Sequence, residues 1–136
     1  WIRKNTESSS AFIQPTYLHE FRECAMRQGF LSVQMDGILA AFNRKYATLY
    51  LERFTTIHKE TTYSQLPGLE NNRKSAYEAL RQKYLSIDKF DLEKLKLLYP
   101  GYSYFLTESS HKLPYQIAHQ NDYFTLYKIS KEPPNK

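Results

Sequence analysis

Apolar positions at the start of the chain predict a short strand followed by a helix. Residues 11–14 are an apolar run that ends at a proline and is too short for a helix, so they predict a buried strand. Residues 17–28 then show apolar side chains at three- and four-residue steps, which predicts a helix with Thr16 as its N-cap and Gly29 as its stop. The positions that set this period are Leu18, Phe21 and Ala25.

The next pattern predicts a second strand and a long helix. Residues 30–35 predict the next strand, and Asp36 and Gly37 then interrupt it, so the strand should end there. Asp36 can cap a helix over residues 38–57, whose apolar side chains form one continuous stripe. The stripe consists of Leu39, Phe42, Tyr46, Leu49, Tyr50, Phe54 and Ile57.

A loop is predicted over residues 58–72, and two segments with helical spacing of apolar residues follow it. Residues 73–85 form an amphipathic pattern, and a shorter helix capped by Asp88 or Asp91 should follow. The inward positions expected in the first helix are Ala76, Tyr77, Leu80 and Tyr84. Those expected in the second helix are Leu92, Leu95 and Leu98.

The last third of the chain predicts strands. Residues 102–107 form one β-rich run, and residues 115–120 and 123–129 form two more around Asn121-Asp122. Asn and Asp tolerate the positive φ angles of a tight turn, so these two runs predict a hairpin.

The predicted order is β-α-β-α-(α-α)-β-β-β, which favours parallel strands joined by helices and an antiparallel hairpin at the end. We therefore expect an α/β fold, a three-layer sandwich with a mixed, mostly parallel sheet of about five strands. Residues 1–131 should form one domain, and residues 132–136 should form a disordered tail.

The amino-acid composition gives limited information about what the chain binds. The net charge is +5, but Lys and Arg are interleaved with Asp and Glu, which is typical of a solvated surface and disfavours nucleic acid as a partner. Cys24 is the only cysteine, and its place on an apolar helix face predicts a buried, inert thiol. The four histidines lack the i, i+4 spacing of a helical zinc pair, so no metal site is expected.

Candidate chemistry lies where the predicted strands end. The carboxyl ends of parallel strands share one rim, where Asp36 and His111 can form an acid–base pair and Arg22 or Arg27 can hold an anion. The alternative interpretation is structural, with Asp36 as a helix cap and Arg27 paired with Glu23. The first strand–helix junction has no glycine, so no nucleotide cofactor is expected, and no catalytic motif stands out.

Several short motifs give the chain a resemblance to a known group of proteins. They are Trp1 to Thr6, Ala11 to Pro15, Phe21-Arg22 with the later Arg27, Tyr99 to Leu106, Leu113-Pro114-Tyr115, Asn121, and Tyr123 to Ile129. In this order they resemble the soluble C-terminal domains of an uncharacterised family of polytopic bacterial membrane proteins related to the GT-C glycosyltransferases. The chain departs from that family at Asp36-Gly37, where Asp-x-Lys is frequent, and at Leu51-Glu52-Arg53, where a Trp is common.

The resemblance implies an extracytoplasmic domain whose transmembrane helices precede Trp1, and the absence of an initial Met agrees with such a piece of a longer protein. In those relatives the catalytic carboxylates lie in membrane-proximal loops, so the resemblance implies a non-catalytic module that supports its transmembrane part. The partners it implies are that transmembrane part and a glycan or a lipid-linked sugar. A stand-alone α/β enzyme or ligand-binding domain, with its site on the strand rim, remains the alternative.

Overall fold

The computed structural model describes residues 1–18, 20–59 and 73–130 of the chain. Its helices are α1 (Ile2–Asn5), α2 (Phe21–Ala25), α3 (Val33–Phe42), α4 (Arg44–Ile57), α5 (Arg73–Leu85) and α6 (Lys89–Leu98). Its strands are β1 (Ala11–Ile13), β2 (Gln28–Gly29), β3 (Tyr104–Glu108), β4 (Gln116–Gln120) and β5 (Phe124–Lys128). In the described residues no helix combines the length and the apolar character needed to cross a bilayer.

The five strands form one mixed sheet in the order β2-β1-β3-β5-β4. β1 pairs in parallel with both β2 and β3, whereas β5 is antiparallel to both β3 and β4. The α/β fold with a mixed sheet that ends in an antiparallel hairpin is therefore confirmed.

Successive strand residues point to opposite sides of the sheet, so apolar side chains lie on both faces. Helices cover these side chains on each face and form two cores. In β1, Ile13 joins the larger core, while Phe12 points to the smaller one. The larger core takes its helical side chains from α4, α5 and α6, and its strand side chains include Phe105 and Tyr127. The smaller core consists of Phe12, Phe21, Ala25, Leu106 and Leu126.

The predicted second strand is wrong in position. The pairing strand is β2, and the helix α3 begins at Val33, inside the segment predicted as extended. A buried amide explains why β2 lies earlier in the chain than the predicted strand. The Gln14 side chain donates to the Leu31 carbonyl and accepts from the Phe30 N–H, each at 2.8 Å, so the backbone of these two residues is bonded to a side chain. A Cβ on Gly29 would lie 2.9 Å from the Gln14 amide, so this strand position needs glycine.

The helix predicted over residues 17–28 is much shorter in the structure. Only α2 forms, and Met26 ends it in the left-handed conformation with φ 51°. Thr16 does not cap it but contacts His58, and Gly29 lies in β2 rather than at a helix end.

The predicted long helix is divided in two. Asn43 is extended and accepts the Tyr46 N–H at 3.0 Å, so it caps α4 and separates it from α3. Asp36 and Gly37 do not break a strand, since both lie within α3. The expected stripe is buried only at Tyr50, Phe54 and Ile57, whereas Leu39, Phe42 and Leu49 are exposed.

Local signals predict α5 and α6 well. Residues 73–85 are helical as expected, and α6 begins with a capping box formed by Asp88 and Asp91. Two inward assignments are wrong, because Tyr77 and Leu98 are exposed at the edges of their apolar faces. The predicted loop and tail fall largely on residues 60–72 and 132–136, which lie outside the described residues.

The hairpin forms, but by a different turn chemistry. Of the described residues other than glycine, only Met26 and Lys59 have positive φ, so Asn121 does not use that conformation. Its Oδ1 atom instead accepts the N–H groups of Tyr123 at 2.9 Å and Phe124 at 2.7 Å. In β4 the register shifts, since Ile117 pairs with Tyr127 and His119 with Leu126, which leaves Ala118 as a bulge.

Candidate functional site

The rim at the carboxyl ends of the parallel strands is built around two carboxylates, the first of which is Asp36. The first turn of α3 places Asp36 against Arg22 of α2, and the pair is bidentate, with Nη1–Oδ1 at 2.8 Å and Nη2–Oδ2 at 2.9 Å. Asp36 is only 1% exposed, whereas the side chain of Arg22 is 36% exposed. Two candidates named from the sequence are thus brought together, as a buried anion and its half-exposed cation.

Further donors complete the shell of Asp36. The Ser32 N–H donates to Oδ2 at 2.6 Å, and the Tyr46 hydroxyl donates to Oδ1 at 2.7 Å. Burial and the hydrogen bond to Asp36 raise the pKa of Tyr46, so its hydroxyl keeps its proton as a donor. An ionised carboxylate has about four acceptor positions, and here all four are used. This geometry makes Asp36 an anchor that joins α2, α3 and α4.

Arg27 lies in a different set of contacts. Its guanidinium donates to Thr6 Oγ1 at 3.1 Å, to the Thr6 carbonyl at 2.6 Å and to the Arg3 carbonyl at 3.0 Å. Arg27 therefore fastens the end of α1 rather than pairing with Glu23.

His111 is held by neighbours other than Asp36. Its Nε2 lies 2.8 Å from the Ile87 carbonyl, which can only accept, so Nε2 carries the proton and Nδ1 accepts from the Thr107 hydroxyl at 2.9 Å. Partial burial lowers the pKa of His111, although the bond to Ile87 opposes this. His111 is therefore neutral at pH 7, and it makes no hydrogen bond with Asp36. Whether Arg22, Arg27, Asp36 and His111 bind a ligand stays a prediction.

The second carboxylate of the rim is Glu108, which follows from its place at a strand end but was not among the candidate site residues named from the sequence. Arg81 of α5 donates from Nε to Oε1 at 2.6 Å and from Nη2 to Oε2 at 2.5 Å, and Tyr17 donates to Oε1 at 2.9 Å. The bonds from Arg81 lower the pKa of Glu108, against the effect of burial. Burial and the bond to Glu108 raise the pKa of Tyr17 well above its ordinary value. The position of Glu108 at a strand end was a usable signal, whereas its partner depends on how α5 packs.

His58 is a fully buried titratable group near this rim. It is 0% exposed and its Nε2 lies 3.0 Å from the Thr16 hydroxyl, while its Nδ1 has no hydrogen-bond partner among the described residues. Burial, with a smaller effect of Lys83, lowers the pKa of His58 to about 3. The imidazole is therefore neutral and serves as a packed polar group beside Phe54.

The opposite face of the sheet carries a cavity of about 270 Å³ between α1, α2 and the hairpin. Trp1 and His119 stack at its mouth with ring centroids 4.5 Å apart and planes 9° apart. Cys24 also lines this cavity and is exposed, so the prediction of a buried thiol is wrong. The reason is that the short α2 buries Phe21 and Ala25 and turns Cys24 outward.

Within the described ranges, no group of three or more His, Cys, Asp or Glu side chains is arranged to hold a metal ion. Comparisons with protein-family models, with curated proteins and with solved structures each find no match. The described geometry therefore defines an α/β domain with a rim of mutually bonded charged groups and a separate apolar cavity.

Proposed function

We propose that this chain is a non-catalytic, extracytoplasmic domain of a polytopic membrane protein, which supports a transmembrane part that handles lipid-linked sugars. The proposal rests on the resemblance of the motifs described above and on one surface feature of the fold. That feature is the α3 apolar face, formed by Ile38, Leu39 and Phe42, which are 54%, 52% and 87% exposed.

The α3 apolar face supports docking because its three side chains lie within about one helical turn of each other. Large apolar side chains exposed side by side mark a contact surface more often than a solvated one. Phe42 ends α3 immediately before the Asn43 cap, so its exposed ring lies at the junction between α3 and α4. Large aromatic side chains are enriched at protein interfaces, so the exposed Phe42 ring is suited to contact a protein partner.

The rim supports a structural role for the charged groups. Asp36 and Glu108 each hold an arginine by two hydrogen bonds and also accept a tyrosine hydroxyl. These contacts tie α2, α3, α4 and α5 to the ends of the sheet, so the carboxylates stabilise the platform that presents α3.

The location is testable with Cys24, the only cysteine of this chain. In the full-length protein, with any cysteine outside this chain replaced by serine, a membrane-impermeant maleimide should label Cys24 in intact bacterial cells. The Cys24→Ser variant supplies the background. Labelling that requires permeabilised membranes would contradict the extracytoplasmic assignment.

Docking is testable by replacing Phe42 with the photocrosslinker p-benzoylphenylalanine in the full-length protein. We expect a crosslink to the transmembrane part of the same protein. Lys94, which is exposed on α6, is the matched control and should give none. Equal crosslinking from both positions, or none from position 42, would remove the role assigned to α3.

A further inference from the structure

The cavity on the second face of the sheet has an apolar floor and a polar mouth. Its floor is formed by Ile2, Phe21, Ala25, Leu106, Phe124 and Leu126. Phe21 is fixed from behind by Phe12, at a ring distance of 5.5 Å, and Phe12 itself stacks on Tyr104 at 4.9 Å. The floor is therefore preformed, as is usual for small-molecule sites.

The mouth presents hydrogen-bond donors that have no partner among the described residues. Arg3 lines the cavity, and its guanidinium has no ion-pair or hydrogen-bond partner among the described residues. Asn121 also lines the cavity and uses its Oδ1 atom for the turn, which leaves its Nδ2 group as a donor without a partner in the described chain. No Asp or Glu of the described residues lines the cavity. This arrangement is complementary to an anion.

The size and shape of the cavity indicate the uncharged part of the ligand. A volume of about 270 Å³ equals roughly nine water molecules at ~30 Å³ each, so it suits a molecule of about ten non-hydrogen atoms. The stacked rings of Trp1 and His119 form a flat wall beside the apolar floor. A flat aromatic ring can lie between this wall and the floor, with its charged group directed to the mouth.

From these features we propose that the cavity between α1, α2 and the β4–β5 hairpin binds a monocyclic aromatic carboxylate. The ring contacts Phe21, Phe124 and the Trp1–His119 wall, and the carboxylate accepts hydrogen bonds from Arg3 and Asn121. This site is distinct from the rim and from the α3 apolar face, so it does not depend on the proposed function.

The chain carries its own reporter, because Trp1 is the only tryptophan and lies at the site. Titration of the full chain with benzoate should change the Trp1 fluorescence saturably, and bound benzoate should slow the alkylation of Cys24. Benzyl alcohol, which has nearly the same size without charge, should bind at least about tenfold more weakly. Benzylammonium, with the opposite charge, should show no saturable effect.

Two variants and one control locate the binding. Arg3→Gln should weaken benzoate binding about tenfold and leave benzyl alcohol unchanged, since it removes the charge and not the floor. Ala25→Leu should weaken both ligands by filling the floor, with circular dichroism confirming that the fold persists. Arg44→Gln, an exposed arginine on α4, is the matched control and should change neither.

Three results would overturn the assignment. They are the absence of a saturable Trp1 signal with benzoate, equal affinities for benzoate and benzyl alcohol, and unchanged benzoate binding in Arg3→Gln. Equal affinities would show an apolar groove without selectivity for an anion.

Discussion

At the scale of single residues, the charged side chains of the rim form hydrogen bonds mainly with one another. Asp36 receives four hydrogen bonds, from α2, from α4 and from the segment before α3, while it is only 1% exposed. A buried charge is tolerated only when it is paired in this way. The sequence named Asp36 and Arg22 for their position near a strand end, but their actual pairing follows from the early start of α3.

Replacing Asp36 by Asn should therefore lower the free energy of unfolding by about 2 kcal/mol. Breaking a buried pair usually costs about 3–5 kcal/mol, and the half-exposed Arg22 reduces that figure because water can solvate it. Urea denaturation of the two proteins measures the difference. Glu23→Gln, on the exposed side of α2, is the control, and an equal effect of both substitutions would refute the anchor role.

His58 should make stability depend on pH. Its pKa is about 3 in the folded protein, whereas the unfolded chain has the ordinary histidine pKa of about 6.5. Between these values the unfolded state binds more protons, so the free energy of unfolding falls as the pH drops from about 6.5 towards 3, by at most about 1.4 kcal/mol per pH unit. The contribution is fully present above pH 6.5.

The variant His58→Gln tests this pH dependence, because Gln can still bond to Thr16 but does not titrate. Unfolding free energies of both proteins at several pH values between about 4 and about 7 should converge at the acid end. Parallel curves would show that His58 is not responsible.

At the scale of elements, the accuracy of sequence-based prediction depends on how local the signal is. The α5 and α6 boundaries follow from periodic apolar positions and from the Asp88 capping box, both contained within a few residues. β2 and α3 were misassigned because residues 30–35 fit both a strand and a buried helix start. The deciding contacts, from Gln14 and Arg22, come from earlier parts of the chain.

Asn43 permits a test that separates the observed break from the continuous helix that periodicity predicts. As an N-cap of α4, Asn43 should stabilise the domain, and Asn43→Ala should lower the unfolding free energy by about 1 kcal/mol. In a continuous helix the same substitution would instead increase stability and helicity, since Ala is the better helix former. Thermal unfolding followed by far-ultraviolet circular dichroism distinguishes the two, with Lys45→Ala as the control.

At the scale of the whole molecule, the sheet order was only partly predictable. Alternating strands and helices indicate parallel pairing early in the chain, and the final two strands indicate a hairpin. That β5, rather than β4, pairs with β3 is a long-range choice, fixed by side chains such as Leu126 opposite Leu106 and Tyr127 opposite Phe105. The contact between Arg81 and Glu108 is equally remote from any local pattern, because it joins residues 27 positions apart.

The bulge at Ala118 has a consequence for association between copies of the chain. β4 is an edge strand, and a regular edge offers unpaired backbone groups on which another strand can form. The extra residue interrupts the regular spacing of those groups, so the bulge protects the edge against intermolecular β-sheet growth. Deleting Ala118 should leave a straight edge that seeds fibrils. Thioflavin fluorescence and light scattering would detect these fibrils. A deletion variant that folds and stays dispersed would assign the protection to other side chains of β4.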